Sequence, residues 1–376
     1  MDNIRPTWAE IDLTALQQNL TNIKKAAAPA KVMAIVKANA YGHGILEISQ
    51  VCIQQGVDFL GVATLEEALK LRESGVEAPI LVLGYIPGEY AQTIIKNDIR
   101  PTVFNWTFAQ DLSRAAIKLG REAKLHIKID TGMGRLGFSP NDDSRCTIEE
   151  IAALPGVGVE GIFTHLSEAD GPDKEFSRQQ LALFSGLVSI LEKNGLSIAL
   201  KHCSNSAALM DIPEARFDMV RAGIILYGTY PSRHVQRNRL VITPVMTLKS
   251  RISYLKTLET GHPVSYGRTY HCEKPTLVAT VPLGYADGYS RLLSNRAWAV
   301  VRGQKVKLIG TVCMDQCMFD VSGVDGVKEG DEVILFGRSE DGVTADNLAE
   351  IIGTINYEVL CAVSSRVPRI YTGRLD

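Results

Sequence analysis

Residues 31–44 read KVMAIVKANAYGHG. The run from Val32 to Val36 is apolar without alternation and bounded by lysines, the pattern of a short strand buried on both faces. Lys37 stands where that strand should end, and Tyr41 follows four residues on. A charged amine at the mouth of a buried parallel strand is in the place where barrel folds carry their chemistry.

Working outward, similar apolar runs recur at Phe59–Ala63, Ile80–Leu83, Arg100–Val103, Leu125–Ile129, Val159–Thr164, Ile198–Cys203 and Met219–Ile225. Helix-period segments lie between them. Leu181, Phe184, Val188 and Leu191 share a face, with Gly195 as a stop; Leu65, Ala68 and Leu69 do the same before Gly75. Eight strand–helix units predict an α/β fold, a (β/α)8 TIM-type barrel over residues 1–240. Pro101 interrupts the fourth strand. After residue 240 the period changes. Segments such as Lys305–Leu308 alternate, and short runs are separated by turns at Gly261, Gly303, Gly330 and Gly337. Residues 241–376 therefore read as a smaller, mostly β C-terminal domain, with one helix at Ala345–Ile352.

The 376 residues carry 40 basic and 42 acidic side chains, a net charge of −2. This gives no steering towards nucleic acid or a membrane surface. No apolar run is long enough to span a bilayer, and the N-terminus lacks a signal-peptide pattern. Seven scattered cysteines fit reduced thiols in the cytoplasm better than a disulfide framework. Cys313 and Cys317 read as packing residues, and no metal site is expected.

The polar residues at predicted strand ends are Lys37 with Tyr41, Arg135 in "DTGMGRLG", Thr164–His165, Ser204–Asn205, and Arg221 followed by Gly223. Each alone has a bland reading as a solvated cap or a satisfied core group. Together they describe a site on one face of a barrel. "GMGRLG" lacks the spacing and the surrounding unit of a dinucleotide fingerprint. A lysine able to bind a carbonyl, two arginines, and a phosphate cradle after the seventh and eighth strands make pyridoxal 5'-phosphate (PLP) the natural cofactor. A phosphosugar barrel using the same lysine stays open on these residues.

"AIVKANAYGHG", "KIDTGMGRLGF", "FTHLSEAD", "HCSNSAA", "VRAGIILYG", "VSYGRTY", "PLGYADGY", "GTVCMDQCMFDV" and "INYEV" occur in this order between residues 34 and 359. The set resembles the bacterial alanine racemases. That resemblance implies a PLP-dependent isomerase that interconverts L-alanine and D-alanine and supplies D-alanine for peptidoglycan. It implies a homodimer whose partner subunit completes each active site. By the same resemblance, Lys37 binds PLP covalently and is one catalytic base, and Tyr266 is the opposing base. Tyr41, Ser204, Gly223, Ile224 and Tyr357 resemble the phosphate-binding set. Arg221 resembles the partner of the ring nitrogen, and His165 links it to the catalytic tyrosine. Arg135, Met314 and Asp315 resemble substrate-side residues, with Tyr285 in the partner wall and Lys128 at a position that many members carbamylate. Thr311 departs from members that have arginine there. A broader-specificity racemase acting on serine, lysine or arginine, a decarboxylase of the same barrel class and a PLP carrier are the competing readings. The bulk of Tyr357 and Met314 favours a methyl side chain, Arg221 argues against the decarboxylase, and Tyr266 against the carrier.

Inversion needs a proton to leave one face of Cα and return on the other, which two fixed bases do without moving. Free lysine and tyrosine have pKa values of ~10.4 and ~10, so both must be lowered to act as bases. A guanidinium cannot accept a proton. Arginine at the ring nitrogen should keep that nitrogen unprotonated and weaken the ring as an electron sink.

Overall fold

The computed structural model describes residues 5–373; residues 1–4 and 374–376, the outer ends of the two expected domains, lie outside the described residues. Two compact units divide the chain. One comprises Gln17–Ala40 and Ile45–Ile242; the other comprises the described residues up to Leu16, Tyr41–Gly44 and those from Thr243 onward.

Strand β1 (Thr7–Asp12) opens the chain and belongs to the second unit. The first unit is built on β2 (Lys31–Ile35), β3 (Phe59–Val62), β4 (Ile80–Val82), β5 (Ile99–Val103), β6 (Ala123–Lys128), β7 (Val157–Phe163), β8 (Leu200–His202) and β9 (Met219–Ala222). They pair in parallel, in the order β8-β7-β6-β5-β4-β3-β2-β9. The ends of this sheet meet through two main-chain bonds, Asp218 N–H to the Lys201 carbonyl at 3.1 Å and Arg221 N–H to the Ser204 carbonyl at 3.0 Å. The eight strands thus form a near-closed barrel. Each of the eight runs expected from the sequence overlaps one of them, though β5, β6 and β7 begin one or two residues earlier than expected.

β3, β4 and β5 are buried at every position, as a parallel sheet covered on both faces requires. Pro101 is accommodated inside β5. It pairs with Val82, and the neighbouring Thr102 hydroxyl donates to the Val82 carbonyl at 2.6 Å, beside the main-chain donor that proline lacks.

The helices follow their sequence signals. Trp106–Leu119 starts at Asn105, whose side chain accepts from the Phe108 N–H at 2.9 Å, and ends at Gly120 with φ +61°. Its buried set is Phe108, Ala109, Leu112, Ser113, Ala115 and Ala116, a stripe along one side. Glu175–Lys193 buries Leu181, Phe184, Val188 and Leu191. Leu65–Glu73 buries Leu65, Ala68 and Leu71, with Leu69 only half-buried.

The second unit contains β10 (Met246–Arg251), β11 (Tyr254–Leu258), β12 (Pro263–Val264), β13 (Tyr270–His271), β14 (Thr276–Val281), β15 (Trp298–Val301), β16 (Gln304–Leu308), β17 (Cys317–Asp320), β18 (Glu332–Phe336) and β19 (Arg369–Thr372). Nine strands form one sheet in the order β11-β14-β17-β16-β15-β18-β10-β1-β19. It is antiparallel except for β1 beside β19. β1 pairs with β10 across most of the chain length, Ala9 opposite Leu248. A cut at residue 240 leaves this strand on the other side of the chain from its sheet. β12 and β13 form a separate hairpin, packed through Val264 and Tyr270 on Leu258, Cys272, Val278 and Ile309. The helix Ala345–Ile352 forms with Thr344 as its cap.

Candidate active site

Lys37 follows β2, and the chain beyond it makes a left-handed turn. Ala38, Asn39, Ala40 and Tyr41 have φ of 52°, 54°, 54° and 51°. L-residues pay roughly 1–2 kcal/mol each for this conformation, so the segment must be held from outside itself. Within the barrel unit, Glu67 accepts from the N–H groups of Ala38 at 2.6 Å and Ala63 at 2.8 Å, tying the ends of β2 and β3 together. Asn39 accepts from the Ile45 N–H at 3.0 Å. Strain of this kind is retained at functional positions.

Arg221, in β9, is 4 % exposed. Its Nη1 donates to His202 Nδ1 at 2.9 Å and to the His202 carbonyl at 3.0 Å. Its Nη2 donates to the carbonyls of Thr164 at 2.8 Å and Cys203 at 3.0 Å, and reaches His165 Nδ1 at 3.3 Å. Nε–H is the guanidinium donor left over among the described residues. Burial brings the Arg221 pKa down to about 10, which leaves it charged at neutral pH. His165 lies well below the ordinary imidazole value, first through burial and then through Arg221, Arg135, Lys128 and Lys37. It is therefore neutral. Since arginine can only donate, His165 accepts at Nδ1 and carries its proton on Nε2.

Lys128 ends β6, buried, with its Nζ donating to the Ile129 carbonyl at 2.6 Å. Burial, then the charge of Arg221, lowers it to about 7. The glycine-rich loop that follows is organised by Asp130. Its carboxylate accepts from the N–H groups of Gly132, Met133, Gly134 and Arg135 at 2.8–3.2 Å. Burial opposes the Asp130 charge, but these donors and Lys128 hold its pKa below the ordinary value. Gly137 adopts φ +133°, and a Cβ there would lie 2.5 Å from Asp130 N. The loop fixes the backbone of Arg135 and leaves its side chain exposed.

Beyond β8, Ser204 is fully buried, and its hydroxyl makes only a long bond, 3.3 Å, to the Asn205 carbonyl. Gly223 donates its N–H to the Ser206 hydroxyl at 3.0 Å and precedes the short helix Ile224–Tyr227. The barrel unit therefore brings Lys37, Lys128, Arg135, His165, Ser204, Arg221, Gly223 and Ile224 to the C-terminal ends of its strands.

In the second unit, Tyr41 and Tyr357 place their rings 6.0 Å apart. Burial, then Cys361, pushes the Tyr41 phenol well above its ordinary pKa. Tyr266 is 70 % exposed on the loop between β12 and β13, between Ser265 at φ +65° and Gly267 at φ +72°. Tyr285 N–H bonds the Cys313 carbonyl, and Ala286 N–H the Met314 carbonyl, both at 3.0 Å, so Tyr285 and Met314 are neighbours. Both are exposed. Asp315 pairs with Arg366 at 2.7 Å. Thr311 is buried and donates to the Tyr266 carbonyl.

Residues 11–231 match the model for the alanine racemase N-terminal domain, and residues 245–371 the model for the alanine racemase C-terminal domain. The chain belongs to the alanine racemase family. It is 50 % identical over 370 residues to an alanine racemase of Clostridium perfringens, covering 98 % of this chain and 96 % of that one. A relative in Methanococcus maripaludis is 45 % identical over 368 residues, 97 % and 98 % covered. Among solved structures, the Clostridium difficile alanine racemase superposes with a TM-score of 0.94 at 44 % identity, over 99 % and 97 % of the chains. The Bacillus anthracis alanine racemase, solved with bound L-Ala-P, gives 0.92 at 34 %, over 99 % and 96 %. Members of this family are isomerases.

The sequence reading of this racemase family member missed Glu67, His202, His126 and Glu160. Thr64-x-x-Glu67 at a helix start was a legible signal for Glu67. The other three carried none in their own residues, because their partners are distant in sequence.

Proposed function

We propose that this chain interconverts L-alanine and D-alanine with bound PLP. The observation that carries the reading is the donor set at the barrel mouth. Arg221 commits four of its five N–H groups to the protein and keeps Nε–H for an acceptor that cannot be protonated by it. Lys37 supplies an amine after β2, and Ser204 a buried hydroxyl that makes only a long bond. These residues fit a ring nitrogen, an aldehyde and a phosphate. In the assignment that the resemblance supports, Tyr41, Ser204, Gly223, Ile224 and Tyr357 hold the phosphate.

PLP, when bound, supplies the electron sink that makes the Cα proton removable. Lys37 Nζ and Tyr266 Oη are the two bases, each taking or returning the Cα proton on its own face. Arg135, Met314 and Asp315 bind the substrate side, and Tyr285 lines the wall. Neutral His165 accepts from Arg221 at Nδ1, which leaves its Nε2–H as a donor; the resemblance assigns that donor to the catalytic tyrosine. The charge fixed on Arg221 would disfavour a proton on the ring nitrogen of a bound cofactor, and so would restrain side reactions. The pKa of Lys128 supports carbamylation, since its neutral form is the nucleophile.

Tyr266, Tyr285, Met314 and Ile355 are large apolar side chains left exposed in the second unit. This supports a homodimer in which the partner covers them and Tyr266 serves the partner's Lys37. No helix among the described residues is long and apolar enough to cross a membrane. All seven cysteines are free, which supports a cytoplasmic setting; the supply of D-alanine for peptidoglycan rests on the resemblance to the bacterial racemases.

The test is incubation with L-alanine and PLP, with D-alanine measured by a D-amino-acid oxidase assay. Lys37→Ala and Tyr266→Phe should each abolish formation of D-alanine. Undiminished activity in both variants would sink the assignment.

A further inference from the structure

Arg221 is the first member of a chain of buried hydrogen bonds that runs through the barrel unit. Its Nη1 donates to His202 Nδ1 at 2.9 Å. His202 Nε2 lies 2.9 Å from His126 Nδ1. His126 Nε2 lies 3.3 Å from Glu160 Oε2, and the same oxygen accepts from Arg100 Nε at 3.1 Å. Both histidines are 0 % exposed.

The direction of every bond follows by elimination. A guanidinium has donors only, so His202 Nδ1 is an acceptor. Burial, then the charge of Arg221, keeps His202 neutral, and its one proton is therefore on Nε2. That proton is donated to His126 Nδ1, which must be the acceptor. His126 is likewise held below its ordinary pKa, first by burial. Its proton is on Nε2 and is donated to the Glu160 carboxylate. Three bonds point the same way, from a cation to an anion, through two rings of one tautomer. Aligned bonds of this kind polarise one another in a low-dielectric interior.

The surroundings are built to hold the chain. Phe163 stacks on His202 at 4.7 Å and 5°, and Phe59 meets the edge of His126 at 6.0 Å. A Cβ on Gly161 would sit 2.5 Å from His126 Nδ1, on the atom that receives the His202 proton. Only glycine leaves room for that bond. Glu160 keeps its charge against burial because His126 and Arg100 bond it.

We infer that His202, His126 and Glu160 are positioning residues for the racemase reaction, a one-way relay through which the Glu160 carboxylate orients and polarises the Arg221 guanidinium. The inference rests on the reading of Arg221 as the partner of the cofactor's ring nitrogen. No proton is transferred along the relay. It fixes where the guanidinium points and how its donor strength is shared between the protein and the cofactor.

The experiment uses PLP-loaded enzyme with 15N-labelled histidine and arginine. At neutral pH, NMR should show His202 and His126 both protonated at Nε2 and unprotonated at Nδ1. Glu160→Gln keeps an acceptor oxygen and removes the charge. It should shift the His126 Nε2–H and Arg221 Nη–H resonances and the cofactor absorption band, and lower kcat roughly fivefold with little change in KM. Gly161→Ala should disturb the same resonances by displacing His126. A Nδ1 proton on either ring overturns the relay, as does a Glu160→Gln enzyme with unchanged Arg221 resonances and an unchanged cofactor band. A protein with these tautomers and shifts but no racemisation would keep the relay and overturn the proposed activity instead.

Discussion

The hydroxyl of Thr311 donates to the main-chain carbonyl of Tyr266 at 2.9 Å. Ser265 Oγ returns the contact by donating to the Thr311 carbonyl at 2.6 Å, and Thr269 Oγ1 lies 3.3 Å from Thr311 Oγ1. Asn295 extends the network, donating to Thr269 Oγ1 and accepting from the Gly310 N–H. Tyr266 itself is exposed, so its backbone is fixed by these bonds and not by burial of its ring.

Thr311→Val removes the donor and keeps the shape. Losing the part-buried bonds of this hydroxyl should cost about 1 kcal/mol of unfolding free energy in a denaturant titration. Turnover should fall in both directions, with KM changing little, because the loop carrying the proposed base loses its anchor. Thr311→Ser should restore both quantities. A Thr311→Val enzyme with full kcat would show that the network serves folding alone.

Lys128 should react with carbon dioxide. Its pKa of about 7 means that the nucleophilic neutral amine predominates above pH 7, whereas an ordinary lysine at 10.5 is almost wholly protonated there. Enzyme equilibrated with 13C-bicarbonate at pH 8 should give a carbamate carbonyl resonance that is absent in Lys128→Arg. The signal should fade as pH drops below about 7. Its presence in the variant would move the assignment to another lysine.

Glu160 makes a pH-dependent contribution to stability. Burial opposes its charge, but the His126 hydrogen bond and Arg100 bring the pKa from 4.5 to about 2. A depressed carboxylate stabilises the folded state above its unfolded pKa, and that stabilisation is lost as pH falls through the folded one. Wild type should therefore exceed Glu160→Gln in unfolding free energy at pH 7. The gap should close between pH 4.5 and 2. A gap that stays constant over this window would mean that the carboxylate charge contributes nothing.

The barrel was legible because strands buried on both faces leave unbroken apolar runs, and Lys37 was legible because it breaks one. Strand β1 was not. Its antiparallel partner is Met246–Arg251, and a six-residue strand says nothing about a neighbour so far away in the chain. The left-handed turn was not legible either. Alanine favours the right-handed helix, and no glycine marks Ala38–Tyr41. His126 and His202 are 76 residues apart and meet only once the barrel closes. Their signal is spatial, with Gly161 as its one local trace. Arg221 was found from its place at a strand end, while the groups that orient it were invisible.

Mixing two inactive variants decides whether the proposed site is shared between subunits. Lys37→Ala and Tyr266→Phe should each be inactive alone. If Tyr266 acts on the partner's Lys37, a mixed dimer holds one doubly damaged site and one intact site. Random reassembly of equal amounts should then restore about a quarter of wild-type activity, as expected for a symmetric dimer with two equivalent sites. If both bases of a site came from one chain, every site in the mixture would lack one of them and no activity would return. The exposed Tyr266, Tyr285 and Met314 favour the first outcome, because large apolar side chains clustered near a reactive tyrosine are costly to leave in water. Subunit exchange, checked by the mass of differently tagged chains, must accompany the assay. Mixed dimers that form and remain inactive would place both bases of each site in one chain.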